Sequence, residues 1–515
     1  MARGAVAAGH PLTGEAAAEM LRLGGNAFDA VLAGLCAACV AEPVLCSLGG
    51  GGFLMAWEAE RGRAEVTDFF AQTPRQKRPA AELDFFPILA DFGTAQQEFH
   101  IGLGAIATPG VVRGLFDIHR RLGSLPMGEI VAPAVALARE GVRLDALQAY
   151  IFSIVAPIYT ATPEAQAIYG RGRPPGELLG EGDVLLQPEL ADTLEALARE
   201  GDALFYEGDI AAAIAAQCAD GGQLTADDLR HYRAVRRAPL EVNYRAARFL
   251  TNPPPASGGI LIAFALDLLS AVRLGEWPAG GHGRLRLLAE VMAETNRARV
   301  EAHARGDGLA GTALLSPALL ARYRAEIQGR AAGLRGTTHL SVADRHGNLA
   351  ALTVSNGEGC GRMVPGTGIM LNNMLGEEDL NPDGFHRWRP DERLTSMMAP
   401  SLLTWPDGRR VALGSGGSNR IRSAILQVVS HLVDDGLPLP EAVAAPRIHF
   451  ERGRLSVEGG FRPEVVAALE ADYPQHQVWP GRNLFFGGVH AVQYADGQFA
   501  GAGDPRRGGV FLPVA

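Results

Sequence analysis

The chain is short of several things that would assign it a class at once. It has only five cysteines in 515 residues (Cys36, Cys39, Cys46, Cys218 and Cys360). An odd, sparse set with no second CxxC supports neither a disulfide framework nor a paired-cysteine zinc site. Cys36 and Cys39 do form one CxxC, but inside the apolar stretch Ala27 to Leu45, where cysteine serves as a small core residue. No run of lysine or arginine stands out, and 47 basic against 57 acidic residues leaves 47 − 57 = −10, which argues against nucleic acid as a partner. The apolar stretch is bounded by Asp29 and Glu42 and reads as a buried helix, not a membrane span. The opening MARGAVAAGHPLTGEAAAEM lacks the roughly 7 to 15 apolar residues of an export signal. The chain as given is expected in the cytoplasm, or in the periplasm or outside the cell if its N-terminus is truncated.

What is present is an ordinary globular composition, 47% hydrophobic and 20% charged, with 64 glycines and 32 prolines spread along the chain. At ~150 residues per domain the length suggests three or four domains, although one large fold can absorb it. Helical spacing runs from Thr13 to Leu23 and stops at Gly24-Gly25-Asn26. Four glycines, Gly49 to Gly52, precede a strand; without a following GKS or GKT they read as a close backbone approach and not a phosphate cradle. Helical patterns dominate from about Leu115 to Gly329, including Ile130 to Glu140, Pro188 to Glu200, Ile260 to Leu274 and Arg284 to Ala304. After residue 336 strands appear in hairpins, one turning at Arg345 to Asn348 and one at Pro406 to Gly408, followed by a helix from Ile421 to Val433. Hairpins and blocks of helices predict an α+β layered fold.

The chemistry is concentrated where the helical half meets the strand-rich half, at Gly336-Thr337-Thr338-His339. A threonine hydroxyl is a weak nucleophile unless a base is at hand, and a free α-amine with a pKa near ~8 on the same residue supplies one. That requires the bond between Gly336 and Thr337 to be cut. Gly414 to Arg420 lies between a strand and a helix, where backbone amides converge as an oxyanion site requires. His339, His346, His386 and His449 lack ligand spacing, so no metal is expected, nor any cofactor. A GxSxG elbow is missing too, which argues against a serine triad at Ser418.

In order along the chain, HPLTGEAAAEMLRLGGNAFDA, AEPVLCSLGGGGF, AIATPGVVRG, TNPPPASGGI, GTTHLSVADRHGNLAALTVS, PGTGIMLNN and GAGDPRR resemble the gamma-glutamyltranspeptidase family. The resemblance runs from about residue 5 to 510. It implies an N-terminal nucleophile hydrolase, a four-layer αββα sandwich made as a precursor and self-cleaved. Residues 1–336 and 337–515 would be its two chains, paired with each other. By that resemblance Thr337 is the nucleophile, Ser355 replaces the family's second threonine, and the paired oxyanion glycines fall on Gly416-Gly417 or on Gly417-Ser418. The substrates implied are γ-glutamyl amides such as glutathione or a related acyl amide, with water or an amine as acceptor.

The substrate shell departs from the family pattern. The arginine that holds the glutamyl carboxylate is replaced by Phe70 in Asp68-Phe69-Phe70-Ala71, and an aromatic ring cannot do a guanidinium's work. The family's asparagine falls on Gly357, with Asn356 adjacent, and its glutamine or glutamate on Met374. The carboxylate for the substrate amine is Glu377, Glu378 or Asp379, and the serine pair appears as Thr395-Ser396. Arg362, Arg387 and Arg393 are candidate replacement cations, with Arg393 preferred because it precedes Leu394-Thr395-Ser396. The expectation is a self-processing amidohydrolase or acyltransferase. Its alternatives are an acylase for a non-glutamyl amide and an unprocessed, non-catalytic homologue.

Overall fold

In the computed structural model, residues 2–91, 96–274, 277–304, 315, 337–381 and 383–515 are described. Gly336 and the end of the expected helical region, 305–329 apart from Leu315, lie outside them.

Two antiparallel sheets form the centre. The first has seven strands, in the order Val510–Val514, Gly4–Ala8, Thr338–Asp344, Leu349–Ser355, Gly51–Glu58, Arg63–Phe69 and Val235–Arg237. The second has six: Gln498–Ala502, Gly488–Ala495, Arg410–Gly416, Ser401–Thr404, Ala247–Thr251 and Leu240–Tyr244. Thr338–Asp344 packs face to face on Arg410–Gly416 and Gly488–Ala495. Helices Pro11–Arg22 and Ala27–Ala41 cover the outer face of the first sheet, and Gly258–Ser270 and Arg420–Val433 cover that of the second. The layers therefore run helix, sheet, sheet, helix, as the resemblance implied.

This layering explains why the central strands show no polar alternation. In Gly4–Ala8, Val6 and Ala8 face the helices while Ala5 and Ala7 face the other sheet; Leu54 and Ala56 alternate likewise with Phe53 and Met55. Both faces are covered, so both must be apolar. Apolar surface buried on both faces stabilises these strands at ~25 cal/mol per Å². Residues on either side of the expected break contribute strands to both sheets, so separated chains would remain interlocked.

Three sequence expectations are corrected. Within the supposedly helical region five strands lie among the described residues: the two-residue Val142–Arg143 and Val184–Leu185, then Val235–Arg237, Leu240–Tyr244 and Ala247–Thr251. Val235–Arg237 and Leu240–Tyr244 sit at sheet edges, where exposed Arg236 and Glu241 break the apolar signal. Asn26 does not end the first helix; its side chain accepts from the Phe28 and Asp29 amides and, with Asp29, forms a capping box for the next helix. That helix ends at Ala41, short of Leu45, and is buried throughout. All five cysteines are free and buried, and burial pushes the Cys36 thiol far above its ordinary range. Among the described residues no helix is long and apolar enough to cross a membrane.

Candidate active site

Thr337 leads directly into the strand Thr338–Asp344, and it is buried. Strand register supplies its first neighbour. Thr338 pairs with Val354, so the next position along sets Thr337 opposite Ser355. Ser355 in turn pairs with Gly51 and receives the Gly357 amide on its hydroxyl at 3.0 Å. The glycines at 49–52 are a close approach, as read: a β-carbon on Gly51 would stand 2.7 Å from the Ala71 nitrogen.

The second neighbour comes from the facing sheet. A β-carbon on Gly416 would collide with the Thr337 carbonyl oxygen, so no other residue fits there without a shift. Gly416 ends its strand, and helix Arg420–Val433 begins four residues later. The turn between needs left-handed backbone, with φ of 118° at Gly417 and 51° at Ser418. Among the described residues neither the Gly417 nor the Ser418 amide donates to a backbone carbonyl. Amide donors at a helix N-terminus beside a hydroxyl nucleophile are what a tetrahedral oxyanion requires.

The three acidic candidates separate. Glu377 is buried, its carboxylate so close to Gly357 that any side chain there would strike it and Asn373. Gly357 has φ 64°, which an asparagine tolerates, so it is this contact that excludes one here. Asp379 accepts from the Ser418 hydroxyl at 3.0 Å, which ties this carboxylate to the oxyanion turn. Glu378 is exposed. Asn356 is fully buried, and neither atom of its amide has a hydrogen-bond partner among the described residues.

The carboxylate-binding side has been rebuilt. Phe70 is buried and stacks on Phe53 at 5.3 Å, so the position where an arginine was expected belongs to the core. Arg393 is engaged elsewhere. Its guanidinium donates to the Phe70 carbonyl, the Tyr232 hydroxyl and the Arg233 carbonyl, and lies 3.6 Å from Asp68. Arg362 pairs with Asp84 at 2.7 Å, and Arg387 is exposed. Thr395 is half-buried; the Ser396 hydroxyl accepts from the Met398 amide, and its carbonyl accepts from Ser257 and Gly258 at the head of a helix. Met374 is fully buried in the core.

No sequence signal marks the residues of GAGDPRR, Glu42 or His490 as neighbours of the nucleophile. Asp504 anchors that segment, pairing with Arg447 at 2.7 Å and Arg506 at 3.1 Å, while Arg506 also holds Glu458 at 2.6 Å. These charges, all buried, hold Asp504 at about 2. The next residue, Arg507, reaches the Thr337 carbonyl at 3.5 Å. Glu42 accepts from the Thr13 and Thr338 hydroxyls, both at 2.7 Å. His490 accepts the Asp504 amide at Nδ1, which puts its proton on Nε2, and burial lowers it to about 4. His339 is bonded to Thr353 and Ser341 and is kept neutral by burial. Among the described residues no cluster of histidine, cysteine, aspartate or glutamate could hold a metal.

A double-sheet sandwich with a threonine heading a central strand against a glycine turn defines a class of amide-cleaving enzymes. The gamma-glutamyltranspeptidase family model matches residues 13–514, and the chain belongs to that family. It is 32% identical to the acylase ACY 1 proenzyme of Pseudomonas sp. (strain V22), over 100% of this chain and 93% of that one. It is 28% identical to the glutathione hydrolase proenzyme of Bacillus subtilis (strain 168), over 99% and 91% respectively. The crystal structure of cephalosporin acylase from Bacillus halodurans superposes with a TM-score of 0.85 at 25% identity, covering 99% of this chain and 96% of the other.

Proposed function

We propose that this chain is a self-processing N-terminal threonine amidohydrolase and acyltransferase. The observation that carries the reading is the placement of Thr337 between Ser355 on its own sheet and the Gly416–Ser418 turn of the facing sheet. In the precursor the Thr337 hydroxyl attacks the Gly336 carbonyl and its proton passes to the departing amine, which exchanges the peptide bond for an ester. Water opens the ester, leaving a Gly336 carboxylate and a free Thr337 amine. In turnover that amine takes the hydroxyl proton as the oxygen attacks a substrate amide, and returns it to the leaving amine. The turn amides hold the oxyanion. Water or an acceptor amine then releases the acyl group.

γ-Glutamyl amides such as glutathione are the first substrates to consider, as for the relatives named glutathione hydrolase. Glu377 and Asn356 are suited to a substrate ammonium. A second reading, an acylase for a non-glutamyl amide, is favoured by one observation: Phe70 is core and Arg393 is occupied, so the expected carboxylate clamp is absent from its place. The relatives named acylase agree with it. Parallel assays with γ-glutamyl and glutaryl 4-nitroanilides separate the two. Turnover of the first supports the glutamyl reading, turnover of the second alone supports the acylase reading, and a chain that stays whole and cleaves neither contradicts both.

A further inference from the structure

Beside Thr337 a cleft opens to solvent, with about 660 Å³ of space counting the solvent in its mouth. Its walls are apolar: Val44 and Leu45 after the long buried helix, Leu147, Ile151 and Phe152 on the helix Ala146–Tyr159, and Leu484. Its polar lining includes Thr337, Glu42, His490 and Arg507, with Asp145 and Gln148 beside the apolar wall.

Arg507 is the unusual member. Its side-chain carbons cross Gly488 so closely that a β-carbon there would lie 2.5 to 3.0 Å from them. Its guanidinium then passes Gly417, where a β-carbon would stand 3.2 Å from one terminal nitrogen. Glycines at 416, 417 and 488 thus clear a path that delivers a cation to the nucleophile. Having arrived, the cation is poorly matched. Arg507 makes no ion pair among the described residues, its Nε is buried without a hydrogen-bond partner, and its hydrogen bond to Thr337 is long, at 3.5 Å. Burial lowers it to about 10, so it stays charged at neutral pH. The Asp504 and Glu42 carboxylates favour its charge through space, but among the described residues neither is within ion-pair reach of it. His490, with its low pKa, is neutral. A half-buried guanidinium with no carboxylate in contact keeps its fork of donors available for an anion.

We propose that this cleft binds the part of the amide substrate that carries a carboxylate on an apolar body, with Arg507 as the counter-ion. The inference rests on the amidohydrolase reading and deepens it: the cation missing at Phe70 is supplied by Arg507 beside the nucleophile. The carboxylate belongs either to the acyl group or to the leaving amine, and both present the same chemistry to the cleft.

The test uses the full chain, with two pairs of substrates. Glutaryl against pentanoyl 4-nitroanilide moves a carboxylate on and off the acyl group; γ-glutamyl 3-carboxy-4-nitroanilide against the plain 4-nitroanilide does so on the amine. The expected result is a preference of about tenfold or more in kcat/KM for the carboxylate-bearing member of one pair, expressed in KM. The pair that shows it identifies the end held. Arg507→Gln should reduce that ratio about tenfold. Leu147→Glu, on the cleft wall and clear of the nucleophile, should reduce it in the same sense, and it serves if the arginine variant fails to mature. Ratios near one in both pairs, or a preference that neither variant changes, overturn this inference alone. Absence of turnover on all four substrates overturns the amidohydrolase reading and this one with it.

Discussion

The Thr337 carbonyl and the Gly416 α-carbon face each other across the two sheets with no space for a side chain between them. The nucleophile's backbone is therefore set by the same residue that starts the oxyanion turn. A methyl group at 416 pushes the two apart, and misplacing reacting groups by about 1 Å costs on the order of 10²-fold. Gly416→Ala is expected to slow both self-cleavage and anilide turnover by at least that factor. Densitometry of precursor and product bands, with steady-state kinetics, checks it; unaltered rates would show that the contact does not position Thr337.

Phe70 is a packing residue, and restoring the family's arginine there should fail. Phe70→Arg loses the stack on Phe53 and buries a charge among apolar side chains, at a cost of several kcal/mol. The expected outcome is a lower Tm and no gain in γ-glutamyl turnover. A stable variant with improved KM for γ-glutamyl anilide would contradict this account of the site.

Glu377 and Glu378 are neighbours with opposite expectations. Glu377 is buried against Gly357 and Asn373, whereas Glu378 is exposed. Loss of a charge-assisted hydrogen bond to a substrate ammonium costs about 1.5–3 kcal/mol, or about ten- to a hundredfold. Glu377→Gln should raise KM by that factor for substrates with a free α-amine and by much less for glutaryl anilide. Glu378→Gln should change neither. Equal effects in the two variants would place the amine elsewhere.

How much of this was visible in the sequence depended on distance along the chain. The hairpin carrying Thr337 and Ser355 could be read because turn and strands are contiguous, and the glycine turn before Arg420 could be read for the same reason. GEEDL could not be resolved, since which carboxylate points inward is decided by Gly357 and Ser418, outside that segment. The strands Val235–Arg237 and Leu240–Tyr244 were hidden by Arg236 and Glu241, which face solvent, and by Arg237, which pairs with buried Asp68. Arg507 was the least legible. Its importance arises only when Gly416, Gly417 and Gly488, far apart in sequence, align beneath its side chain.

The buried His490 and Asp504 predict how stability responds to acid. His490 is held at about 4 against roughly 6.5 in an unfolded chain, so the unfolded state binds the proton first. Its contribution, about 3 kcal/mol, is complete above pH ~6.5 and is lost as pH falls through 4. Asp504, at about 2 against roughly 3.9, has its contribution complete above pH ~4 and lost as pH falls towards 2. Tm is expected to fall steadily from pH 7 to 4 and further below. In His490→Asn, whose side-chain oxygen can still accept the Asp504 amide, the upper part of that fall should flatten. A profile identical to wild type would contradict the assignment.

The central claim is that Thr337 becomes a chain terminus. Intact mass measurement of the purified protein tests it directly. The account predicts two chains, of 336 and 515 − 336 = 179 residues, the second beginning at Thr337. Thr337→Ala should instead give one uncut chain without amidase activity. A wild-type chain that stays whole on incubation, or a Thr337→Ala variant that is still cut before residue 337, would contradict it.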